Sequence, residues 1–272
     1  MSGVWDPTLY QGSAAYYAVG RMPYPAEVAT VLRDALGLDG SGRLLDVGCG
    51  PGPVTRLLAP LFEAAVGLDP DPDMLAEAAR RTTDARVTWH RARAEDLPDG
   101  SGTFRVVTFA QSFHWMDRPL VARTVRSMIE PGGAWVHVGA TTHAGVEDDD
   151  PLPRPRVPHA AIRELIAKYL GPVRRAGQRT LPEGTADREE DVMVAAGYGG
   201  PRRLTAGGGE IVPRSTDQVV AAVFSLSFAA PHLFGERRHA FEGELRELLR
   251  EVSPEGVFAE RTRDVELVIW TP

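Results

Sequence analysis

Residues 44–52, Leu-Leu-Asp-Val-Gly-Cys-Gly-Pro-Gly, limit what this chain can fold into more than any other stretch. An apolar run ends in Asp46, and Gly48, Gly50 and Gly52 alternate after it. This is a strand running into a turn where the backbone must bend tightly and approach a ligand closely. A second apolar run, residues 65–68, ends in Asp69. Nucleoside-binding folds place a carboxylate against ribose hydroxyls at such a spacing, about 20 residues on. Together the two segments imply an adenosine-bearing cofactor across the tips of two neighbouring parallel strands. The dinucleotide pattern G-x-G-x-x-G would need glycine where this chain has Pro53, which disfavours NAD.

The pattern repeats along the chain. Residues 25–37 carry Val28, Val31, Leu32 and Leu36 at helical spacing before Gly37. Strands are expected at 43–47, 65–69, 87–91, 104–110 and 134–138, with helices at 53–60, 71–81 and 119–129. Such β-α alternation predicts a doubly wound parallel sheet, with ligands outside the carboxyl ends of the strands. Beyond residue 140 the rhythm changes. Acids and alternating prolines at 147–158 read as a loop, helices are expected at 160–170 and 188–196 with no strand between them, and strands at 202–212 and 265–270 enclose helices at 216–228 and 236–252.

Bulk properties narrow the partners. Hydrophobic and charged fractions of 43% and 25% are those of an ordinary globular chain. A net charge of −7 argues against an extended phosphate-binding surface, so the expected partner is a small molecule, not a nucleic acid. No apolar run nears the roughly 18 residues of a membrane span, and no leader pattern is evident. The expectation is a cytoplasmic monomer or homodimer without membrane contact. Cys49, the single cysteine, excludes an intrachain disulfide, and no Cys/His/Asp cluster has metal-ligand spacing.

The glycine loop after Asp46 resembles motif I of the class I S-adenosylmethionine (SAM)-dependent methyltransferases. Two further stretches resemble the type 11 members related to the trans-aconitate methyltransferases: Tyr17-Ala-Val-Gly-Arg21-Met-Pro-Tyr24-Pro, and Ala110-Gln111-Ser-Phe-His114-Trp115. Met22 stands where that subfamily usually has proline. The resemblance implies an α/β Rossmann-like, seven-stranded sheet of five parallel strands plus a C-terminal antiparallel edge, with a helical cap. One domain would comprise an N-terminal lid and helix (1–40), a SAM-binding core (41–140), a cap (141–200) and C-terminal strands and helices (201–272).

By the same resemblance Asp46, Gly48, Gly50 and Gly52 approach the cofactor, and Asp69, with Pro70 and Met74 after it, holds the ribose. Residues 93–98 form the adenine turn, where Arg93 replaces a frequent acid. The base contact then falls to backbone at Ala94 and Glu95 or to the Glu95 or Asp96 side chains. Tyr17 closes over the cofactor, Arg21 pairs its methionine carboxylate, and Gln111 completes the set. His114 is either the general base or a pocket-lining residue. His143 is a weaker base candidate, and His137 a structural one. Phe113 and Trp115 either face the sulfonium or substrate or pack in the core. The implied activity is methyl transfer to a small organic molecule, at a carboxylate or hydroxyl oxygen, leaving S-adenosylhomocysteine (SAH). The alternatives are C- or N-methylation, or a non-catalytic SAM-binding regulator or scaffold.

Overall fold

A computed structural model describes residues 6–172 and 189–272, with two short strands, Arg175–Ala176 and Arg179–Thr180, between them. The β-α units form as the hydrophobic periods require. Helices α1 (Ala14–Gly20) and α2 (Glu27–Leu36) precede β1 (Arg43–Val47). Then follow α3 (Pro53–Leu58), β2 (Ala64–Leu68), α4 (Pro72–Arg80), β3 (Val87–His90), β4 (Phe104–Ala110), α5 (Arg118–Arg126) and β5 (Ile129–Gly139). Asp71 caps α4, its carboxylate accepting from the Asp73 and Met74 N–H groups at 2.8 and 3.3 Å, as the acids at that positive helix end suggest.

The C-terminal half contains α6 (His159–Leu170), the two-residue strands β6 and β7 already given, α7 (Glu189–Ala195), β8 (Gly199–Ala206) and β9 (Ile211–Ser215). It closes with α8 (Thr216–Phe224), α9 (Arg238–Val252), β10 (Val257–Arg261) and β11 (Val265–Thr271). The main sheet has seven strands in the order β3-β2-β1-β4-β5-β11-β8. Strands β1 to β5 are parallel, and β11 runs antiparallel between β5 and β8. The antiparallel strand is therefore internal, and the edge strand β8 points the same way as the core five.

Alternation along each strand separates two cores. Leu44, Val106 and Val136 meet α2 and α3 on one face, while Leu45, Val107 and Trp135 meet α5 and Met193 of α7 on the other. A third core belongs to the cap, where Ile162, Val220, Phe224, Phe241, Leu245 and Phe258 pack together.

Four details depart from the sequence reading. The 202–212 strand is two strands in different sheets, because Gly207, Gly208 and Gly209 all take positive φ and turn the chain. The turn at 131–133 is absorbed into β5 as a bulge, with the register to β4 jumping between Phe104/Ile129 and Val106/Ala134. The β6–β7 pair lies where no strand was expected. The N-terminal segment, without visible period, holds α1. That helix packs on α8 so closely that a Cβ at Gly20 would lie 2.1 Å from the Ala222 nitrogen. Among the described residues no single helix is long and apolar enough to cross a membrane.

Gly20→Ala should therefore lower the unfolding free energy by about 1–3 kcal/mol, the range for overpacking a tight interface. Urea denaturation followed by circular dichroism measures it.

Candidate functional site

The carboxyl ends of β1, β2 and β4 open onto a cleft of about 890 Å³, its mouth included, within the usual size of small-molecule sites. The glycine loop forms its floor. Gly48 and Cys49 N–H both donate to the Leu68 carbonyl, at 2.7 and 3.0 Å, laying the loop over the tip of β2. Two positions demand glycine through close approach as well as positive φ. A Cβ at Gly48 would sit 2.5 Å from the Ser112 Cβ, and one at Gly52 would sit 2.1 Å from the Trp89 ring. Gly50 differs, since a Cβ there would meet nothing within 4 Å. Cys49 is buried, and burial pushes its thiol up, which disfavours the thiolate.

Asp69 sits beside this loop. Its carboxylate accepts from Gly50 N–H at 2.8 Å and Asp71 N–H at 2.9 Å. Burial raises it to about 6 against the opposing effect of those two bonds. Pro70, Met74, Ala94, Glu95 and Gln111 line the same cleft, as does Tyr17. Glu95 also accepts from Asp117 N–H at 2.9 Å, tying the 93–98 turn to the start of α5.

Gln111 is the only non-glycine residue with positive φ among the described residues, at 55°. Left-handed backbone costs a side-chain-bearing residue about 1–2 kcal/mol. Here it bends the chain off β4 so that Ser112 Oγ reaches the Val47 carbonyl at 2.6 Å. Ser112 thereby packs against Gly48, and the strain joins the tip of β4 to the glycine loop.

Four expected site residues lie elsewhere. Asp46 is fully buried and does not line the cleft; it accepts from Thr55 Oγ1 at 2.6 Å and Thr108 Oγ1 at 2.8 Å. Gly52 packs under Trp89 as described. Arg21 stands behind Tyr17, its guanidinium 4.4 Å from that ring. It donates to Ser225 Oγ at 2.8 Å and the Ser225 carbonyl at 3.0 Å. His114 faces a separate, polar cavity with His137, Glu189, Arg203 and Glu266, which meets the cleft only at Gln111 and Ser112. Burial, with Arg118 nearby, pushes His114 down to about 4. His137 accepts from Trp135 Nε1 at 2.9 Å, consistent with a structural role.

Trp115, for which the sequence left two roles open, lines the cleft. Tyr10, Tyr24 and Met116, without an assigned role in the sequence, complete the cleft walls. Tyr10 stands edge-on to Tyr17 and Trp115, with ring centroids 6.4 and 6.1 Å apart. The aromatic crowding of residues 10–24 was the visible signal. Phe113 instead belongs to the core, stacked edge-on against Phe109 and Trp135.

A protein family described as a methyltransferase domain matches residues 44–133. Trans-aconitate 2-methyltransferase of Mycobacterium tuberculosis is 33% identical over 139 residues, which is 50% of this chain and 48% of that protein. An uncharacterized methyltransferase of Mycobacterium bovis is 34% identical over 131 residues, 47% of this chain and 51% of that protein. The chain thus spans about half the length of the curated relatives it matches. Among solved structures, one described as a type II methyltransferase candidate from Anaeromyxobacter dehalogenans matches 92% of this chain and 95% of its own, with TM-score 0.51 and 20% identity. The YcgJ protein of Bacillus subtilis matches 89% and 97%, with TM-score 0.50 and 14% identity. At those identities the structures bear on the fold alone.

The raised Asp69 has a consequence for the ligand-free protein. Its ionised form is disfavoured in the fold, so stability is fully present below the ordinary value of 3.8 and lost as pH rises to about 6. Between about pH 4 and 7 the stability difference should move in favour of Asp69→Asn by on the order of 3 kcal/mol. Urea midpoints of both proteins across that range test this; parallel curves would mean that Asp69 is not the titrating group.

Proposed function

We propose that this chain, whose residues 44–133 are a class I, SAM-dependent methyltransferase domain resembling the trans-aconitate 2-methyltransferases, methylates a carboxylate oxygen of a small organic acid. The observation that carries the reading is the convergence of the glycine loop, Asp69 and three tyrosines on one cleft at the strand tips. The cofactor fits that cleft by the chemistry of its walls. Gly50 leaves room where any side chain would project, and Asp69 supplies a carboxylate for ribose hydroxyls. Ala94 and Glu95 offer backbone to an adenine, and Tyr10, Tyr17 and Trp115 can place ring faces near a cationic sulfur. Bound there, the cofactor supplies a methyl group on sulfur, which ends as the neutral thioether of SAH once an acceptor oxygen has taken the methyl.

The basicity of the nearby histidines favours a carboxylate over a hydroxyl acceptor. Burial pushes His114 to about 4, and burial with Arg21 pushes His143 to about 3. Imidazoles that weakly basic accept a proton poorly, whereas a carboxylate is already ionised at neutral pH and needs no base. His114 is then a wall residue of the polar cavity. Transfer depends on position and water exclusion, which contribute about 7–11 kcal/mol in well-oriented reactions. The name of the Mycobacterium tuberculosis relative points to a carboxylate acceptor as well.

Calorimetric titration with SAH, with NAD as a parallel control, tests the cofactor. Binding of SAH alone is expected, and Asp69→Ala should weaken it by about 1.5–3 kcal/mol, the worth of hydrogen bonds to a charged group. Unchanged affinity would remove Asp69 from the ribose. His114→Ala should leave both SAH affinity and turnover on an acid largely intact; lost turnover with retained binding would restore it as the base.

A further inference from the structure

Arg93 puts a positive charge on the wall of the strand-tip cleft, next to Ala94 and Glu95. The chain leaves β3 at His90 and enters a single 3-10 turn at Ala94–Asp96, which leaves Arg93 half-buried at its head.

The two side chains that the sequence left open for contact with a base, Glu95 and Asp96, are both engaged within the protein. Glu95 lines the cleft, but each of its oxygens already has a partner. Oε1 accepts from Asp117 N–H at 2.9 Å, and Oε2 lies 3.3 Å from Arg93 Nη2. Asp96 is exposed and is absent from the cleft lining; its Oδ2 accepts from Arg93 N–H at 3.4 Å. Pro70 lines the cleft beyond β2, and its carbonyl accepts from Arg91 Nε at 3.4 Å. Asp69 accepts from Gly50 and Asp71 N–H and is the carboxylate matched to ribose hydroxyls.

Donors are in better supply at this end of the cleft. The Arg93 Nε–H has no acceptor among the described residues. A guanidinium has donors and no acceptor, and it keeps its charge at any physiological pH. The Arg93–Glu95 contact also orients it, because Glu95 is itself held by the Asp117 N–H at the head of α5. Little further ordering of the side chain is then needed when a ligand binds.

A purine declares its identity at the 6-position. Adenine carries an amino group there, a donor, beside the N7 acceptor. Hypoxanthine carries a carbonyl, so its edge shows two acceptors. Arginine matches the edge with two acceptors, as it does in reading guanine, whereas a carboxamide matches adenine by accepting from the amino group and donating to N7. Against Arg93 an amino group gains nothing, while an oxo group gains a charge-assisted bond.

We propose that Arg93 sets the base specificity of the cleft, which takes a cofactor with a 6-oxo purine, the deaminated counterpart of SAM and SAH, at least as well as the adenine form. The assignment rests on the methyl-transfer reading above, which puts the base against residues 93–95. Arg93 selects the base and takes no part in the transfer of the methyl group.

Calorimetric titration of the full chain with SAH and with S-inosylhomocysteine, its 6-oxo counterpart, gives the ratio of the two affinities. In the unsubstituted protein S-inosylhomocysteine should bind at least as tightly as SAH. Arg93→Gln exchanges the guanidinium for a carboxamide and should move the ratio toward SAH by about tenfold, within the range of one base-edge contact. Arg93→Ala should move it the same way by less. A damaged fold would lower both affinities together, whereas a lost base contact changes their ratio. If Arg93→Gln binds neither compound, Arg93→Ala takes its place, and the ratio in the unsubstituted protein decides without any variant. SAH binding more than about twofold tighter than S-inosylhomocysteine in that protein, or a ratio that no variant moves, overturns the assignment of Arg93 and leaves the methyl-transfer reading standing. Absence of binding by both compounds overturns that reading and the base assignment with it.

Discussion

Asp46 joins three elements through one carboxylate. Its backbone belongs to β1, and its oxygens accept from Thr55 of α3 and Thr108 of β4 with no exposure to solvent. Burial pushes the carboxyl up, and the two hydroxyls oppose that rise. Losing either hydroxyl would leave a buried oxygen under-satisfied, which is more costly than the net worth of one bond. The glycine loop runs between β1 and α3, so this network clamps both of its ends. Its backbone N–H groups are held toward the tip of β2 before any ligand arrives, which lowers the ordering cost of binding.

The opposite wall of the cleft depends on a seam between α1 and α8. Ser13 Oγ donates to the Phe224 carbonyl at 2.8 Å, and Arg214 donates to the Gly20 carbonyl at 2.6 Å. Arg21 adds its bonds to Ser225. The segment that contributes Tyr10, Tyr17 and Tyr24 to the cleft is thereby anchored on the cap helix. One consequence is that a shift of the cap helix would be felt at the wall of the cleft that these tyrosines form.

Much of the scaffold was legible. The strands at 43–47 and 104–110 fall at the expected residues because their apolar side chains are buried on both faces of the sheet, Leu44 and Val106 on one and Leu45, Val47, Val107 and Phe109 on the other. Gly48, Gly50 and Asp69 meet at the cleft because strand-tip geometry places them there in any parallel sheet. Side-chain direction was harder to read. Phe113, His114 and Trp115 occupy a single 3-10 turn and join the core, the polar cavity and the strand-tip cleft respectively. Successive residues in so tight a turn diverge by about a third of a revolution, so a motif of three aromatic residues cannot reveal which one faces the ligand.

The sequence by itself determined the alternating β-α sheet, the glycine turn at its first strand tip and the carboxylate at the second, since each is written in fewer than about ten neighbouring residues and governed by backbone sterics and hydrophobic period. Only the tertiary structure decided that Asp46 is an internal clamp and that Arg21 belongs to Ser225 and His143. It also decided that the cap encloses a largely aliphatic cavity. Those contacts join residues 62, 204 and 122 positions apart, and nothing local in a chain specifies which distant side chain will share a desolvated space with it.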